Sequence, residues 1–300
     1  MTIVINLLTA VILGVILISS QGSIIPVMTT EDIIEMRIIV PIKQVPESSN
    51  VKMDAESGTV IRSGSNAVVN PLDLYALEAA LQMREQHGGS VTALSMGPPS
   101  AMKALREALA MGCDDACLVS DRKFGGSDTW ATSYIISRAI AALGDFDLIL
   151  CGERATDGDT AQVGPGIAAW LDLPLASYVS KVESLDAQKG TLLVERLIEE
   201  GYQRLSLCLP ALLTVVKEIA EPRLPTLEGK KRSINTEIPI LGSENMDLEP
   251  AYLGLRGSPT KVVKIMTPQV TRGGRVIEAG DDTPAAVGEL IKYLKEKDLV

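Results

Sequence analysis

The sequence predicts an α/β protein with a doubly wound, mostly parallel sheet, and three observations favour that class. From residue 36 onwards, short apolar runs alternate with helical stretches, which is typical of a parallel sheet covered by helices. The first of these runs, residues 37–42, has the pattern of a buried strand. A chain of 300 residues is long enough for one large α/β domain with appendages, or for two small domains.

The elements of the first half alternate between strands and helices. We expect strands at residues 37–42, 91–96, 117–119 and 147–151, and helices at residues 70–85, 101–111 and 128–143. Asn70 and Asp128 stand where helix-capping side chains stand, and Pro71 is tolerated in a first helical turn, where its missing N–H is not needed. Residues 50–65 fit a small hairpin inserted after the first strand.

The second half completes this predicted domain. A short helix is expected at residues 167–171, and two paired strands are expected at residues 191–197 and 203–208. A buried strand then follows at residues 212–216. The α/β domain therefore covers residues 36–220.

Residues 221–300 change character. Prolines and glycines punctuate a long stretch with little periodicity, which cannot bury a core of its own. We interpret this stretch as an arm that packs on another subunit, with a disordered tail as the alternative. Residues 283–298 end the chain as an amphipathic helix with four aliphatic residues on one face. These are Val287, Leu290, Ile291 and Leu294.

Residues 1–35 form an apolar N-terminal extension. Residues 3–18 are almost wholly apolar, but this run is shorter than the roughly 20 residues that span a bilayer comfortably, and it lacks the preceding basic residues of a signal peptide. A membrane anchor, an atypical signal and sequence outside the native protein are the three interpretations. Because Met36 directly precedes the first predicted strand, we favour Met36 as the natural start. We expect a cytoplasmic protein that meets a membrane only if the extension is native.

The charge and the cysteines argue against several classes of function. A formal net charge of −10 leaves no basic excess to neutralise phosphates, so we expect no nucleic-acid partner. The four cysteines show no C-x-x-C spacing, and the chain has a single histidine, His87. A zinc site and Ser-His-Asp chemistry are therefore disfavoured. We expect free thiols at Cys113, Cys117, Cys151 and Cys208.

A nucleotide site is expected at the carboxyl ends of the parallel strands, where ligands of open α/β sheets bind near helix N-termini. Residues 41–45, 96–99 and 151–165 meet that condition. In the third segment, glycines permit close approach of the backbone, Thr160 and Gln162 add neutral donors, and the following helix directs N–H groups at an anion. The segment matches neither the P-loop nor G-x-G-x-x-G, and a tight turn without a ligand is the alternative.

Charged residues complicate this expected site. Asp157 and Asp159 would repel a phosphate, so we expect their carboxylates to face outward as caps and turn formers, or to bond ribose hydroxyls. Lys43 and Arg154 are the nearby basic residues, and each suits either a negatively charged ligand or a solvated surface position. The side chain of Asn70 suits a helix cap first and a contact with the nucleotide second.

Several motifs resemble those of the beta subunits of electron-transfer flavoproteins, from about residue 36 to the C-terminus. The resemblance includes residues 42–46, 69–71, 108–112 and 157–165. Its most specific part is V-x-R-x-x-E-E-G-x-Q-x-L from Val194, followed by P-x-L-L-T-V from Pro210, which agrees with the family signature at every constrained position. The resemblance implies a Rossmann-like fold of the adenine-nucleotide alpha-hydrolase type and a heterodimer with the family's alpha subunit. A nucleotide-sensing module of the universal-stress type, a further alternative, needs neither the signature nor the arm.

Within this family, the sequences D-G-D-T-A-Q-V-G-P at residues 157–165 and I-K-Q-V-P at residues 42–46 resemble the bifurcating branch and its nitrogen-fixation relatives. That branch implies FAD in the beta site, which receives a hydride from NADH. One electron then goes to ferredoxin or flavodoxin, and the other goes through the alpha-subunit FAD to a dehydrogenase, such as acyl-CoA dehydrogenase, or to a quinone reductase. The conventional branch, with a structural AMP, is the alternative. Gly158 and Ala161 favour FAD because they leave room beyond what AMP fills.

The resemblance also implies the residues of the site. Contacts to the nucleotide are expected from Pro41, Lys43, Asn70, Met96, Gly152, Arg154, Asp157, Gly158, Asp159, Thr160, Ala161, Gln162 and Val163. Residues 221–227 resemble the loop with which the family engages its flavin dehydrogenase, with Leu227 as the inserted anchor and an ordinary loop leucine as the alternative. Residues 254–260 resemble the arm that clasps the alpha subunit. No catalytic acid or base is required, because the flavin supplies the redox chemistry.

Overall fold

The computed structural model describes residues 17–18, 24–25, 35–47, 67–263, 276–280 and 282–300. The predicted hairpin at residues 50–65 and most of the apolar run at residues 3–18 lie outside these residues. The chain divides into two compact units, Met1–Lys261 and Val262–Val300.

The first unit contains a sheet of nine strands. Two strand pairs lie apart from it, β1 (Leu17–Ile18) with β2 (Ile24–Ile25), and β4 (Gln44–Pro46) with β5 (Ala67–Val69). The large sheet is built from β3 (Met36–Pro41), β6 (Gly89–Met96), β7 (Asp115–Val119), β8 (Leu148–Gly152), β9 (Leu175–Asp186), β10 (Thr191–Ile198), β11 (Gly201–Cys208), β12 (Ala211–Val215) and β13 (Ile240–Leu241). Their spatial order is β11-β10-β9-β12-β8-β3-β6-β7-β13.

The strands from β13 to β9 in this order are parallel, and β10 and β11 add an antiparallel edge. The helices of the described residues are α1 (Pro71–His87), α2 (Met102–Met111), α3 (Thr129–Leu143), α4 (Val163–Leu171), α5 (Leu227–Asn235), α6 (Gly254–Gly257) and α7 (Thr283–Glu296). Short 3-10 turns lie at Pro99–Ala101, Arg122–Phe124, Lys217–Ile219 and Pro250–Tyr252. This mostly parallel sheet between helices confirms the predicted fold class.

Two apolar layers cover the two faces of the sheet. In β3, Ile38 packs in the layer beneath α1 and α2, whereas Ile39 packs in the layer beneath α3 and α4. Successive side chains of a strand point to opposite faces, so a strand that is buried on both faces is a continuous apolar run. The chain adds β6 and β7 on one side of β3 and then places β8 on the other side. The order therefore reverses between β3 and β8, and this is the switch point at which α/β sheets bind ligands.

Several elements were not predicted, of which strand β9 and helix α5 are the longest, and helix α4 was predicted too short. Strand β9 spans Leu175–Asp186, where no strand was predicted. Helix α4 begins at Val163, four residues before the predicted start, because a first turn tolerates Pro165. Helix α5 lies in the stretch that was predicted to have little periodicity.

From Glu221 to Lys261 this stretch is part of the first unit, and both buried apolar side chains, including Ile238 and Met246, and polar contacts hold it there. Arg106 of α2 donates to the carbonyls of Ser233 and Thr236 (2.6 Å for Thr236), and Arg232 of α5 donates to the carbonyl of Leu109 at 2.9 Å. Ile240 and Leu241 extend the sheet beside β7. The predicted packing of residues 221–300 on another subunit stays a prediction.

The second unit ends in α7, which begins and ends close to the predicted bounds. Asp282 caps it by accepting a hydrogen bond from the Ala285 N–H at 3.1 Å. Val287, Leu290 and Ile291, on its predicted apolar face, are all about half exposed. Among the residues that the structure describes, no helix combines the length and the apolar character needed to cross a bilayer.

Candidate nucleotide-binding site

The carboxyl ends of β3 and β8 lie side by side at the switch point, and α1 begins next to them. Ile38 and Ile39 of β3 are in register with Leu148 and Ile149 of β8, so the chain leaves both strands at the same edge. Beyond β3, the Ile42 N–H donates to the Leu94 carbonyl of β6 at 2.7 Å. The segments that follow β3, β6 and β8 therefore meet at one edge of the sheet, as the sequence predicted.

Asn70 joins α1 to the loop after β8. Its amide donates to the Arg154 carbonyl at 2.9 Å and accepts from the Thr156 N–H at 3.1 Å, and the residue is fully buried. The predicted helix cap is wrong, because the Asn70 side chain makes no capping bond to α1. The amide nitrogen and the amide oxygen of Asn70 both form hydrogen bonds with the loop instead. Asn70 thus fixes the start of the loop that carries most of the predicted site.

Asp73 is a site residue that the sequence analysis missed. Its carboxylate accepts from the Lys43 N–H at 2.7 Å and is 6% exposed. Burial raises the pKa of the Asp73 carboxyl to about 7, although hydrogen bonds from Asn70 and Lys43 favour the charged form. An acidic residue in a first helical turn normally faces solvent as a partner of the helix dipole, so the burial of Asp73 could not be predicted from its position.

Gly152 explains how Asp73 comes so close to the sheet. A Cβ at Gly152 would lie 2.5 Å from Asp73 Oδ1 and 2.8 Å from the Leu72 carbonyl oxygen. No side chain can occupy that position unless α1 moves away from β8. Gly152 therefore serves the contact between the strand end and the helix.

The two aspartates that complicate the loop are each paired with a basic side chain. Lys43 Nζ lies 2.7 Å from Asp157 Oδ1, and the Arg154 guanidinium lies 3.0 Å from Asp159 Oδ1. Arg154 also lies 3.3 Å from Glu153. These pairs lower the repulsion that an anionic ligand would meet. The aspartates are thus neither free nor helix caps.

The middle of the loop has an unusual backbone. Asp159 and Ala161 have positive φ angles of 53° and 54°. Asp tolerates this left-handed region, whereas Ala adopts it less readily, and such conformations cluster at ligand-binding loops. Gly158 lies beside them, and a Cβ there would meet nothing within 4 Å. Gly158 and Thr160 are exposed.

Helix α4 begins at Val163, directly after the loop. Gln162 accepts at its Oε1 from the Thr129 hydroxyl at 2.9 Å, which ties the loop to the start of α3. Gly164 and Gly166 let α4 approach its neighbours closely, because a Cβ would lie 2.7 Å from the Thr214 methyl group and 2.6 Å from the Ser133 hydroxyl, respectively. The first-turn N–H groups of a helix lack helical partners and attract anions.

The remaining predicted site residues lie in different places. Pro41 ends β3 and is buried, and Met96 ends β6 at the same edge and is half-buried. Leu227 lies elsewhere, at the start of α5, and is 81% exposed. The structure thus brings the predicted nucleotide residues to one edge and separates Leu227 from them.

The cysteines have no evident part in this edge chemistry. Cys113, Cys117 and Cys151 are buried free thiols, and Cys208 is an exposed free thiol. Burial raises the pKa of Cys113 to about 12 and of Cys117 to about 11, so both stay protonated near neutral pH.

The residues at this edge suit the phosphate and ribose groups of an adenine nucleotide. The first turn of α4 supplies N–H donors, Lys43 and Arg154 offset the charges of Asp157 and Asp159, and Thr160 supplies an exposed hydroxyl. A Cβ at Gly158 would meet no atom within 4 Å, so the loop leaves open space on that side. AMP and FAD share the adenosine phosphate part, and this donor set fits both.

Comparison with known proteins gives consistent results. A sequence model described as "Electron transfer flavoprotein domain" matches residues 57–239. The chain is 44% identical over 266 residues to an electron transfer flavoprotein subunit beta from Thermoanaerobacterium thermosaccharolyticum, covering 88% of this chain and 100% of that one. It is 42% identical over 266 residues to the caffeyl-CoA reductase-Etf complex subunit CarD of Acetobacterium woodii, covering 88% and 100%. It is 41% identical over 259 residues to Protein FixA of Azotobacter vinelandii, covering 85% and 92%.

Proposed function

Since the chain belongs to the electron transfer flavoprotein family, as a beta subunit, we propose that it binds FAD at the shared edge of β3 and β8. In this proposal the flavin takes a hydride from NADH, and its electrons divide between ferredoxin or flavodoxin and the FAD of an alpha subunit. The alpha-subunit FAD then serves a flavin dehydrogenase. The observation that supports FAD best is the loop after β8, where Gly158 adjoins open space and both aspartates are paired.

The residues of the edge would hold the nucleotide and would not perform its chemistry. When bound, FAD supplies hydride acceptance and one-electron release. The first turn of α4 would face a phosphate, and Lys43 and Arg154 would lower the cost of its negative charge. Thr160 and Gln162 would offer neutral hydrogen bonds. Asn70 and Asp73 would hold the two loops in place from behind, because both are already buried in contacts with them.

The second half of the proposal concerns partners. We propose residues 36–220 as the nucleotide-binding part and residues 221–300 as the part that meets the alpha subunit and the dehydrogenase. Residues 221–227, here called the docking loop, carry Leu224 and Leu227, which are 86% and 81% exposed. We propose that these two exposed leucines form a protein contact. The name of CarD places that relative in a complex with a CoA-ester reductase, which favours a dehydrogenase of the acyl-CoA class here.

Asp128 fixes the position of the segment at residues 254–260. The Asp128 side chain caps α3 through the Ala131 N–H and also accepts from the N–H and hydroxyl of Thr260, at 2.9 and 2.7 Å. Burial alone would raise the pKa of Asp128, but these hydrogen bonds hold it below its ordinary value. Leu255 within the segment is 59% exposed. We propose that this segment contacts the alpha subunit.

The conventional type of beta subunit, with a structural AMP, is the second candidate. The same donors fit the phosphate of AMP, so the two candidates differ in what lies beyond it. The deciding experiment is to purify the heterodimer with its alpha subunit, denature it, and measure released FAD and AMP by chromatography. Two FAD and no AMP per heterodimer is the expected result. One FAD and one AMP would overturn the FAD proposal and leave the family unchanged.

A further inference from the structure

Arg223 of the docking loop is bound by two glutamates of α1. Its Nε and Nη2 donate to the two carboxylate oxygens of Glu78 at 2.8 and 2.9 Å. Its Nη1 and Nη2 donate to the two oxygens of Glu85 at 2.5 and 3.1 Å. The backbone N–H of Arg223 also donates to Glu78, at 3.1 Å. One arginine therefore makes two bidentate contacts, which are the strongest and most directional ion pairs that proteins form.

Burial distinguishes this cluster from an ordinary surface ion pair. The Glu78 side chain is 4% exposed, and a buried carboxylate is stable only when it is paired and hydrogen-bonded. Burial alone would raise the pKa of Glu78, but the hydrogen bonds from Arg223 and Gln82 hold it below its ordinary value. The buried negative charge of Glu78 thus requires a positive partner, and Arg223 is that partner.

The docking loop is restrained on both sides of its exposed leucines. Pro222 and Pro225 fix the φ angles on either side of Arg223 and Leu224. Beyond Leu227, α5 is fixed on α2, because Arg232 donates to the carbonyls of Leu109 and Cys113. Leu224 directly follows Arg223, and yet the Leu224 side chain is 86% exposed. A partly buried ion-pair cluster thus directly precedes an exposed leucine.

We propose that Arg223, clamped by Glu78 and Glu85, is a positioning residue that holds Leu224 and Leu227 ready for the flavin dehydrogenase. This inference rests on the proposed function, because it assumes that the docking loop is where the dehydrogenase binds. A loop that is ordered before binding loses less conformational entropy on association, so the clamp acts on affinity. The clamp itself does not touch the dehydrogenase or the nucleotide.

The test measures electron transfer from the complete heterodimer, with both cofactors, to a purified acyl-CoA dehydrogenase at increasing concentration. The wild-type heterodimer has to reduce this dehydrogenase first; if it does not, the proposed function fails and the clamp is not at issue. The variants are Arg223→Gln, Arg223→Lys and Glu85→Gln. Lys189→Gln is the matched control, because it removes a cation that is paired with Asp186 on an exposed surface.

We expect Arg223→Gln to raise the KM for the dehydrogenase about tenfold, with kcat and cofactor content within about twofold of wild type. Arg223→Lys keeps the positive charge but not the bidentate geometry, so its KM should lie between those of the wild type and Arg223→Gln. Glu85→Gln leaves the buried pair with Glu78 intact and should raise KM about threefold. Leu227→Ala combined with Arg223→Gln should be less than additive, since both act on one contact.

Three results would overturn the inference. One is an unchanged KM in Arg223→Gln together with a lower melting temperature, which would make the clamp purely structural. Another is a loss of flavin with a parallel fall in kcat, which would place its effect at the nucleotide site. If Arg223→Gln does not fold, Glu85→Gln decides, and an unchanged KM in that variant counts against the clamp.

Discussion

Asn70, Asp73 and Gly152 form the support of the candidate site, and Gly158 and Thr160 form its open side. Asn70 and Asp73 are buried in contacts with the loops on either side, and Gly152 has no room for a side chain. Substitutions at these three residues would therefore disturb the fold and the site together. Gly158 adjoins open space, so a substitution there tests the ligand separately from the fold.

Gly158→Arg should empty the beta site while the alpha flavin stays bound. The new side chain has room in the free chain, because a Cβ at Gly158 meets nothing within 4 Å, and it would occupy the space that the proposed flavin needs. The measurement is flavin and AMP content of the heterodimer, with thermal unfolding as a check that the fold is intact. Gly158→Ala is the control and should keep the nucleotide. Two retained flavins in the arginine variant would show that the pocket lies elsewhere.

Asp73 should make the stability of the protein fall as the pH rises. Its folded pKa of about 7 lies above the ordinary value of 3.8, so the folded state binds more protons between those values than the unfolded state. The stability that protonated Asp73 contributes is fully present below about pH 4 and is lost as the pH rises through about 7. In Asp73→Asn this fall should disappear, and the free energy of unfolding relative to wild type should rise by up to about 4 kcal/mol between pH 4 and pH 8.

Denaturant unfolding at a series of pH values checks this expectation. Asp145→Asn is the control, because the Asp145 side chain is 93% exposed and should follow the wild-type profile. Parallel profiles for Asp73→Asn and the wild type would mean that the pKa of Asp73 is the same in the folded and unfolded protein.

At the scale of elements, α4 shows how closely the helices are fitted to one another. Gly166 faces Ser133 of α3, and Gly164 faces Thr214 of β12, with no space for a Cβ at either position. The same helix presents its first turn to the loop of the candidate site. Its position on the sheet is thus fixed by contacts of small residues, and the site depends on that position.

Gly166→Val should destabilise the protein by roughly 1–3 kcal/mol, because overpacking forces α3 and α4 apart. Thermal unfolding of the two variants Gly166→Val and Gly288→Val gives a matched comparison. Gly288 lies in α7, where an added Cβ meets nothing within 4 Å, so its variant should keep the wild-type melting temperature. Equal melting temperatures for the two variants would contradict the close packing of α3 and α4.

The elements differ in how well the sequence predicted them, and the reason lies in their burial. The strands β3, β6 and β8 are buried on both faces, so they are apolar runs that the sequence displays directly. Strand β9 was missed because it is only partly buried, contains two register shifts, and bends where Tyr178 has a φ of 59°. Helix α5 was missed because arginine contacts to main-chain carbonyls hold it, and such contacts leave no apolar period.

The features of the candidate site also differ in how well the sequence predicted them. The edge of the sheet and the loop after β8 could be predicted, because strand ends and glycines mark them. The pairing of Lys43 with Asp157 and of Arg154 with Asp159 could not, because it depends on the path of the loop. The burial of Asp73 and the clamp on Arg223 depend on which elements become neighbours, and one sequence does not show that.

At the scale of the whole molecule, the second compact unit leaves apolar side chains uncovered. In the second unit, Val287, Leu290 and Ile291 are half exposed although they share one face of α7. A contiguous apolar face on a capped helix indicates a protein contact. In our proposal this contact is with the alpha subunit.

Leu290→Asp should weaken binding of the alpha subunit at least about tenfold without changing the melting temperature of the isolated chain. The reason is that Leu290 is 52% exposed, so the free chain gains little from it. Isothermal titration of the alpha subunit into each variant gives the affinity. Lys292→Asp, on the other side of α7, is the control and should bind like the wild type. Equal affinities for the two variants would exclude this face from the interface.

Helix α1 links the nucleotide edge to the docking loop. It begins directly after Asn70 and holds the docking loop through Glu78, about 12 Å from Asn70 along the axis at 1.5 Å per residue. Because one helix carries both the support of the nucleotide site and the clamp, different dehydrogenases that fit the same two leucines would, in our proposal, all bind at one fixed spacing from the nucleotide edge.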